Sequence, residues 1–343
     1  MSGGVDSSVA ALFLKQQGYE VEGATMRLFD ADLADGNSAD LTDAQAVAEK
    51  LGIPFHVFDF RREFRREVVD DFISVYKSGA TPNPCIVCNR KLKFGLFIER
   101  ALELGFNYIA TGHYAVIDCV NGRYLLSKGA DRNKDQSYVL YGMTQLQLKH
   151  TLFPLGGMTK AEVRAAAEAN GLLNARKSES QDICFVPDGK YSRFIERETG
   201  EASLPGNFVS ASGKVLGIHK GIVNYTIGQR KHLGISNTVT GETLYVCGKC
   251  ADDNTVLLGT EKLLLRKELT ANWCNLIVCD KISAPIKATA KIRYRQPEQP
   301  VTVEQIGGQR LKIIFDTPQK GIAPGQSVVL YNGERVLGGG IIE

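Results

Sequence analysis

The sequence predicts an α/β N-terminal domain with a doubly wound parallel sheet, followed by a small β-rich central domain and a C-terminal β-barrel. Two observations carry this. Short strand-like runs alternate with amphipathic helical stretches over roughly the first 199 residues. Beyond Thr199-Gly200, short β-rich runs alternate with Gly, Asn, Asp and Pro turns, and no useful helical period remains. The expected domains are therefore residues 1–199, 200–265 and 266–343. With 343 residues the chain has room for two or three domains.

In order, Val9 to Gln17 reads as a helix ended by Gly18, and Tyr19 to Leu28 as a strand ending near Met26. Thr42 to Leu51 is a helix stopped by Gly52, with Pro54 beyond it. Phe55 to Phe60 is a strand, and Arg62 to Tyr76 a helix. Lys91 to Leu104 is a helix ended by Gly105, and Asn107 to Ala110 a short strand. Thr159-Lys160-Ala161-Glu162 is a capping box that opens a helix closed by Gly171. The later strands include Thr243 to Val246, Thr255 to Leu258, Lys291 to Arg295, Leu311 to Phe315, Ser327 to Tyr331 and Val336 to Ile342.

Composition narrows the function classes. Hydrophobic residues make up 43% and charged residues 23%, which excludes disorder as the main state. The net charge of +3 predicts no strong non-specific nucleic-acid binding, though a local basic face stays open. The 35 glycines follow no collagen-like period and point to many turns. Val9 to Leu14, the longest early apolar stretch, is too short to span a bilayer. Met1-Ser2-Gly3-Gly4 leads into no basic, apolar leader, so no membrane association and a reducing cytoplasm are expected.

Ser2-Gly3-Gly4-Val5-Asp6-Ser7-Ser8 runs straight into a helix. Glycines let backbone amides turn toward an anion, hydroxyls add donors, and the helix start adds partial positive charge. Asp6 fits either holding Mg²⁺ or orienting the loop. Such a loop ordinarily follows a buried parallel strand, and only Met1 precedes it. The expectation is that a first strand is missing and that the functional chain carries about ten more residues.

Cys85 and Cys88 form a Cys-x-x-Cys just ahead of the Lys91 helix, beside Arg90 and Lys91, where a thiol is expected to have a lowered pKa. By itself that pair fits a redox couple or half a zinc site. Cys184 lies far away in Ser180-Gln181-Asp182-Ile183-Cys184-Phe185. Cys247-Gly248-Lys249-Cys250, with Cys274 and Cys279, invites a zinc site, but these residues fall on predicted strands, and zinc is not expected.

The Ser2–Ser8 string resembles the PP-loop of ATP pyrophosphatases. With PNPCxxCN at Pro82–Asn89, TGHY at Thr111–Tyr114, KDQSY at Lys134–Tyr138 and SQDICF at Ser180–Phe185, the resemblance becomes specific. YTIGQR at Tyr225–Arg230, RYR at Arg293–Arg295, PGQ at Pro324–Gln326 and LGGGII at Leu337–Ile342 follow in the same order. Together they resemble the bacterial tRNA-specific 2-thiouridylase family, in a Cys-x-x-Cys variant, from Ser2 nearly to Glu343.

That resemblance implies replacement of the wobble uridine's 2-oxygen by sulfur in certain tRNAs, with ATP and Mg²⁺ adenylating the oxygen first. Cys184 matches the persulfide carrier and Cys88 the attacking cysteine, which either releases sulfide onto the activated carbon or closes a transient Cys88–Cys184 disulfide. Ser2, Gly3, Gly4, Val5, Asp6, Ser7, Ser8, Met26 and Gly112 match ATP-binding positions. Asn83, Pro84, Cys85, His113, Lys134, Asp135, Gln136, Arg293, Tyr294 and Gln326 match tRNA-contacting positions. Cys85 stands where an aspartate is common, so it is an auxiliary thiol, or Cys85, Cys88 and Cys184 hold a 4Fe–4S cluster with one open iron. His232 stands where a glycine is usual. A monomer and a persulfide donor, either a cysteine desulfurase or a sulfur-relay protein, are implied. The rivals are another PP-loop ligase or amidotransferase acting on a small acid, and a truncated paralogue that binds tRNA without catalysis.

Overall fold

The computed structural model describes residues 1–29, 37–175, 177, 183–235 and 243–343. Ser180, Gln181 and Asp182 of the SQDICF string lie outside the described residues. Helix α1 (Val5–Gln16) leads to strand β1 (Gly23–Arg27), helix α2 (Asn37–Leu51) and strand β2 (Phe55–Asp59). The first helix starts four residues ahead of the expected Val9, because Gly4 in extended backbone is its N-cap and the loop's serines form its first turn. Gly18 ends it in left-handed backbone, φ +87°.

Helix α3 (Arg61–Phe64) and helix α4 (Asp70–Lys77) form one run through a π-helical turn at Arg65–Val69. Likewise α5 (Pro84–Cys88) passes through π-helical Asn89–Leu96 into α6 (Phe97–Glu103). The apolar spacing predicted plain helices here; π turns shift the periodicity by one residue and occur often at functional sites. Strand β3 (Ile109–Ala110) is followed by a hairpin, β4 (Ala115–Val120) and β5 (Arg123–Lys128), then by α7 (Gln145–Lys149) and β6 (Thr151–Leu152). Helix α8 (Lys160–Ala169) opens with the expected capping box, Glu162 accepting from the Thr159 N–H at 2.7 Å. Helix α9 (Tyr191–Thr199) closes at Gly200, φ +70°.

β1 pairs with β2 and β3 with β6, both in parallel, as two separate ladders among the described residues rather than one continuous sheet. Val9 and Leu12 of α1 pack with Val47 of α2 and with Val163 and Ala167 of α8, so helices cover the strands and fix the direction of α1.

In the central region β7 (Gly206–Val209), β8 (Val215–His219), β9 (Tyr245–Cys250) and β10 (Thr255–Gly259) form a sheet in the order β8-β7-β10-β9. Phe208, Tyr225, Val246 and Val256 fill its core. The C-terminal strands are β11 (Leu265–Leu276), β12 (Ile286–Lys291), β13 (Gln299–Gly307), β14 (Arg310–Lys320), β15 (Ser327–Asn332) and β16 (Arg335–Ile342). They run β11-β14-β13-β12-β15-β16, and β16 pairs back onto β11, closing a six-stranded barrel.

The barrel does not hang free. The β4–β5 hairpin joins β16 at Ser127 and Arg335. One apolar cluster unites Ile86, Phe94, Tyr138 and Met143 with Val329, Tyr331 and Val336 of the barrel. No helix of the described residues is long and apolar enough to cross a membrane.

Candidate active site

The loop before α1 is braced from several directions. Gly3 has φ +66°, a backbone that favours glycine. Ser7 Oγ and Ser8 Oγ donate to the Gly4 carbonyl at 3.1 and 3.0 Å. The Asn174 carboxamide donates to Gly3 O and Ser8 Oγ at 3.0 and 2.9 Å. Val5 is buried in the core beneath the loop. Asp6 accepts from Lys160 Nζ at 2.7 and 2.8 Å and from the Tyr114 hydroxyl at 2.8 Å. Of the two tasks expected for Asp6, orienting the loop is the one its contacts perform. A helix start, small hydroxyl side chains and a nearby ammonium make a cradle suited to a polyphosphate.

Gly112 shows why the Thr111–Tyr114 string ends where it does. A Cβ there would lie 2.6 Å from the Asp6 carbonyl carbon and 2.8 Å from the Ser7 nitrogen. The end of β3 is thereby pressed against the loop, at the carboxyl end of a parallel strand where ligands gather. Met26, half-buried on β1, sits opposite Phe58 of β2.

The cysteines meet from two parts of the chain. Asn83 is the N-cap of α5 and buried Pro84 its first residue, so Cys85 and Cys88 lie on one short helix. Cys88 is buried in a cluster with Phe72, Leu92, Phe185 and Val186. Phe185 follows Cys184 directly, and the three thiols act on one another electrostatically. All eight cysteines are free thiols. Cys85 and Cys184 keep exposed surface, yet their surroundings are dense enough that burial pushes both thiols up, Cys184 to about 12. Burial pushes Cys88 to about 11.

The lowered thiol pKa expected near Arg90 and Lys91 is thus corrected: desolvation outweighs the cations. Lys91 pairs with Glu67 at 3.8 Å, and the positive charge that opposes the upward shift at all three thiols belongs to Lys93. The four other cysteines named for zinc stand apart. Cys247 and Cys250 are on β9 and Cys274 is on β11, with Cys247 and Cys274 directed at carbonyls of their own modules. No group of three or more His, Cys, Asp or Glu among the described residues is arranged to hold a metal ion.

Family models match the chain end to end. One described as "tRNA methyl transferase HUP domain" covers residues 1–188, one described as "tRNA methyl transferase PRC-barrel domain" covers 192–260, and one described as "Aminomethyltransferase beta-barrel domain" covers 266–342. A protein of Acetivibrio thermocellus named tRNA-specific 2-thiouridylase MnmA is 49% identical over all of this chain and 98% of its own length. Proteins of the same name from Halothermothrix orenii and Clostridioides difficile are each 47% identical, with 97% and 96% of their lengths covered. The chain belongs to the tRNA-specific 2-thiouridylase family.

In this thiouridylase-family chain, the positions matched to tRNA contacts are mostly engaged with the protein itself. His113 is buried between Phe94 and Phe153, with its Nδ1 2.7 Å from Thr111 Oγ1, and burial holds it well below the ordinary histidine value, hence neutral. The Asp135 carboxylate accepts from the Gly129 and Ser137 backbone N–H groups, both at 3.1 Å. Gln136 and Tyr114 exchange two bonds at 3.0 Å. Lys134 lies half-buried at the same turn. From the barrel side, Arg293 donates to Ile227 O and Gly321 O at 3.0 Å, and the Tyr294 hydroxyl donates to Asp135 O at 3.0 Å. Gln326 donates to Thr81 O and Pro82 O at 3.1 and 3.0 Å.

Three residues the motifs passed over complete the site: Lys160, Asn174 and Lys93. Lys160 carried one legible signal. It is the first helical residue after the Thr159 cap, and a cation there opposes the helix macrodipole, so another partner must hold it. Nothing in the local sequence marks Asn174. His232 has φ +62°, the left-handed backbone that suits the glycine expected at its place.

Proposed function

We propose that this protein is an ATP-dependent tRNA uridine 2-sulfurtransferase acting through a cysteine persulfide. The observation that carries the reading is the meeting of Cys88 with the Cys184 segment in one cluster, in a chain that also holds a braced phosphate loop. The residues divide into an ATP set (Ser2 to Ser8, Met26, Gly112), a sulfur set (Cys85, Cys88, Cys184) and a tRNA set reaching from Asn83 to Gln326. The domains would be 1–199, 200–265 and 266–343.

The chemistry balances as follows. The uridine 2-oxygen, with its base out of the stack, attacks the α-phosphorus of ATP, and pyrophosphate leaves. The terminal sulfur of a Cys184 persulfide attacks C2, and the C2–O bond breaks as AMP departs. Cys88 thiolate then attacks the inner sulfur of Cys184, cleaving the S–S bond and leaving 2-thiouridine and a Cys88–Cys184 disulfide. A dithiol reductant returns two electrons to restore both thiols.

Mg²⁺ bound with ATP would supply charge neutralisation on its phosphates; among the described residues, Asp6 has both carboxylate oxygens on Lys160. A 4Fe–4S cluster would draw its ligands from Cys85, Cys88 and Cys184; as the side chains stand, no group of three or more His, Cys, Asp or Glu among the described residues is arranged to hold a metal ion, and the persulfide route is the one proposed. The sulfur donor is a persulfide-bearing protein, the working form a monomer and the setting a reducing cytoplasm. The family models' descriptions speak of methyl transfer, whereas paired thiols suit sulfur transfer.

Nucleoside mass spectrometry of tRNA incubated with ATP, a persulfide donor and the protein tests the reading. The expected product is 2-thiouridine, formed with pyrophosphate release. A methylated nucleoside, or pyrophosphate release that ignores tRNA and follows a small acid, would contradict it.

A further inference from the structure

The segment joining α4 to the cysteine helix is gripped by both other modules. Gly79, φ +84°, lies against Ile222 and Lys249 of the central module. Lys249 Nζ donates to Ala80 O at 3.3 Å and to Tyr225 O at 2.9 Å, and lies 5.9 Å from the Tyr76 ring centroid. From the barrel, Pro324 O accepts from the Thr81 N–H at 2.8 Å, and Gln326 holds Thr81 O and Pro82 O. Gly325 permits this closeness: with φ +85°, a Cβ there would meet Thr81 O at 2.9 Å. Asn83 and the cysteine helix follow immediately.

Lys249 is the unusual member. Among the described residues it has carbonyls and an aromatic face as partners but no carboxylate, and burial brings its ammonium down to about 8. Keeping a cation in such a place is costly unless the carbonyls it ties must stay together. Those carbonyls belong to different modules, and one lies five residues before Cys85.

We propose that Lys249 is a positioning residue for sulfur transfer, which with Gln326 fixes segment 80–82 and so aims Cys85 and Cys88 at Cys184 and the activated base. The inference rests on the sulfur-transfer reading. It gives the Cys-Gly-Lys-Cys string a role in its lysine rather than its cysteines.

The test compares the full chain with Lys249→Met, Lys249→Arg and Gln326→Ala. Two readouts are tRNA-dependent pyrophosphate release and 2-thiouridine formation; the third is the rate of Cys88–Cys184 cross-linking by diamide, which takes up the two electrons released. Lys249→Met is expected to keep pyrophosphate release, to lower thiolation kcat by about tenfold at unchanged KM for tRNA, and to slow the cross-link. Lys249→Arg should recover part of both losses. If Lys249→Met fails to fold, Gln326→Ala carries the cross-linking expectation alone, because that readout involves no tRNA. Unchanged kcat and cross-linking would overturn the proposal, as would equal losses in pyrophosphate release and thiolation without recovery in Lys249→Arg. A wild-type protein that makes no 2-thiouridine would instead sink the sulfur-transfer reading, while the cross-linking rate still decides whether Lys249 positions the thiols.

Discussion

Lys160 Nζ and the carboxylate of Asp6 are joined by two hydrogen bonds, 2.7 and 2.8 Å long, between the first turns of α8 and α1. This pair ties the phosphate loop to the start of α8. Lys160 is buried, so replacing it with Met takes away a charged partner from the partly buried Asp6 carboxylate, which keeps the Tyr114 hydroxyl. Lys160→Met should cost on the order of 2 kcal/mol of stability. The denaturation midpoint should fall and ATP consumption with it; an unchanged midpoint would show that the pair does not hold the loop.

Gly112 leaves no space for a methyl group. The clash of its Cβ would be with backbone at Asp6 and Ser7, which cannot swing aside as a flexible side chain can. Gly112→Ala should therefore displace the loop and abolish tRNA-dependent pyrophosphate release, while the C-terminal barrel stays folded by circular dichroism. Retained pyrophosphate release would mean that β3 does not set the loop's position.

Cys88 should react slowly at neutral pH. Burial penalises its thiolate and raises the thiol to about 11, above the ordinary value near 8.5. The reactive form therefore appears only as pH rises through the folded value. Alkylation of Cys88 by iodoacetamide, followed by peptide mapping, should keep accelerating up to pH ~10 without a plateau. A plateau near neutral pH would show that Lys93 overcomes desolvation after all.

His232 occupies left-handed backbone at φ +62° on an exposed turn. A β-carbon is disfavoured there, so His232→Gly should raise stability by about 1 kcal/mol without loss of activity. Urea denaturation measures this; a lowered midpoint would mean that the imidazole makes a contact worth more than the strain.

Much of this architecture is legible in the sequence because its signals are local. Thr159 and Glu162 cap α8 from three residues apart, and Gly18 and Gly200 end their helices where a left-handed residue is needed. The division into a helical first part and β-rich later parts follows from periodicity alone. What escaped depends on distant partners. The β4–β5 hairpin is stabilised by joining the barrel more than two hundred residues later, so its own sequence does not announce it. Gln326 matches a tRNA-contacting position in the sequence, and its carboxamide's hold on Thr81 and Pro82 shows only in the fold. In the sequence Cys88 reads as lying just ahead of the Lys91 helix, where a thiolate is favoured; the helix instead begins at Pro84, and desolvation by Phe72, Leu92 and Phe185 is a property of the packed cluster.

The central claim is that sulfur reaches the base through Cys184. The most direct measurement is mass spectrometry of tRNA nucleosides after reaction with ATP and a persulfide donor, comparing the wild-type chain with Cys184→Ser. The wild type should yield 2-thiouridine, and Cys184→Ser should yield none while still releasing pyrophosphate. Persulfide-dependent 2-thiouridine formation retained by Cys184→Ser would contradict the account.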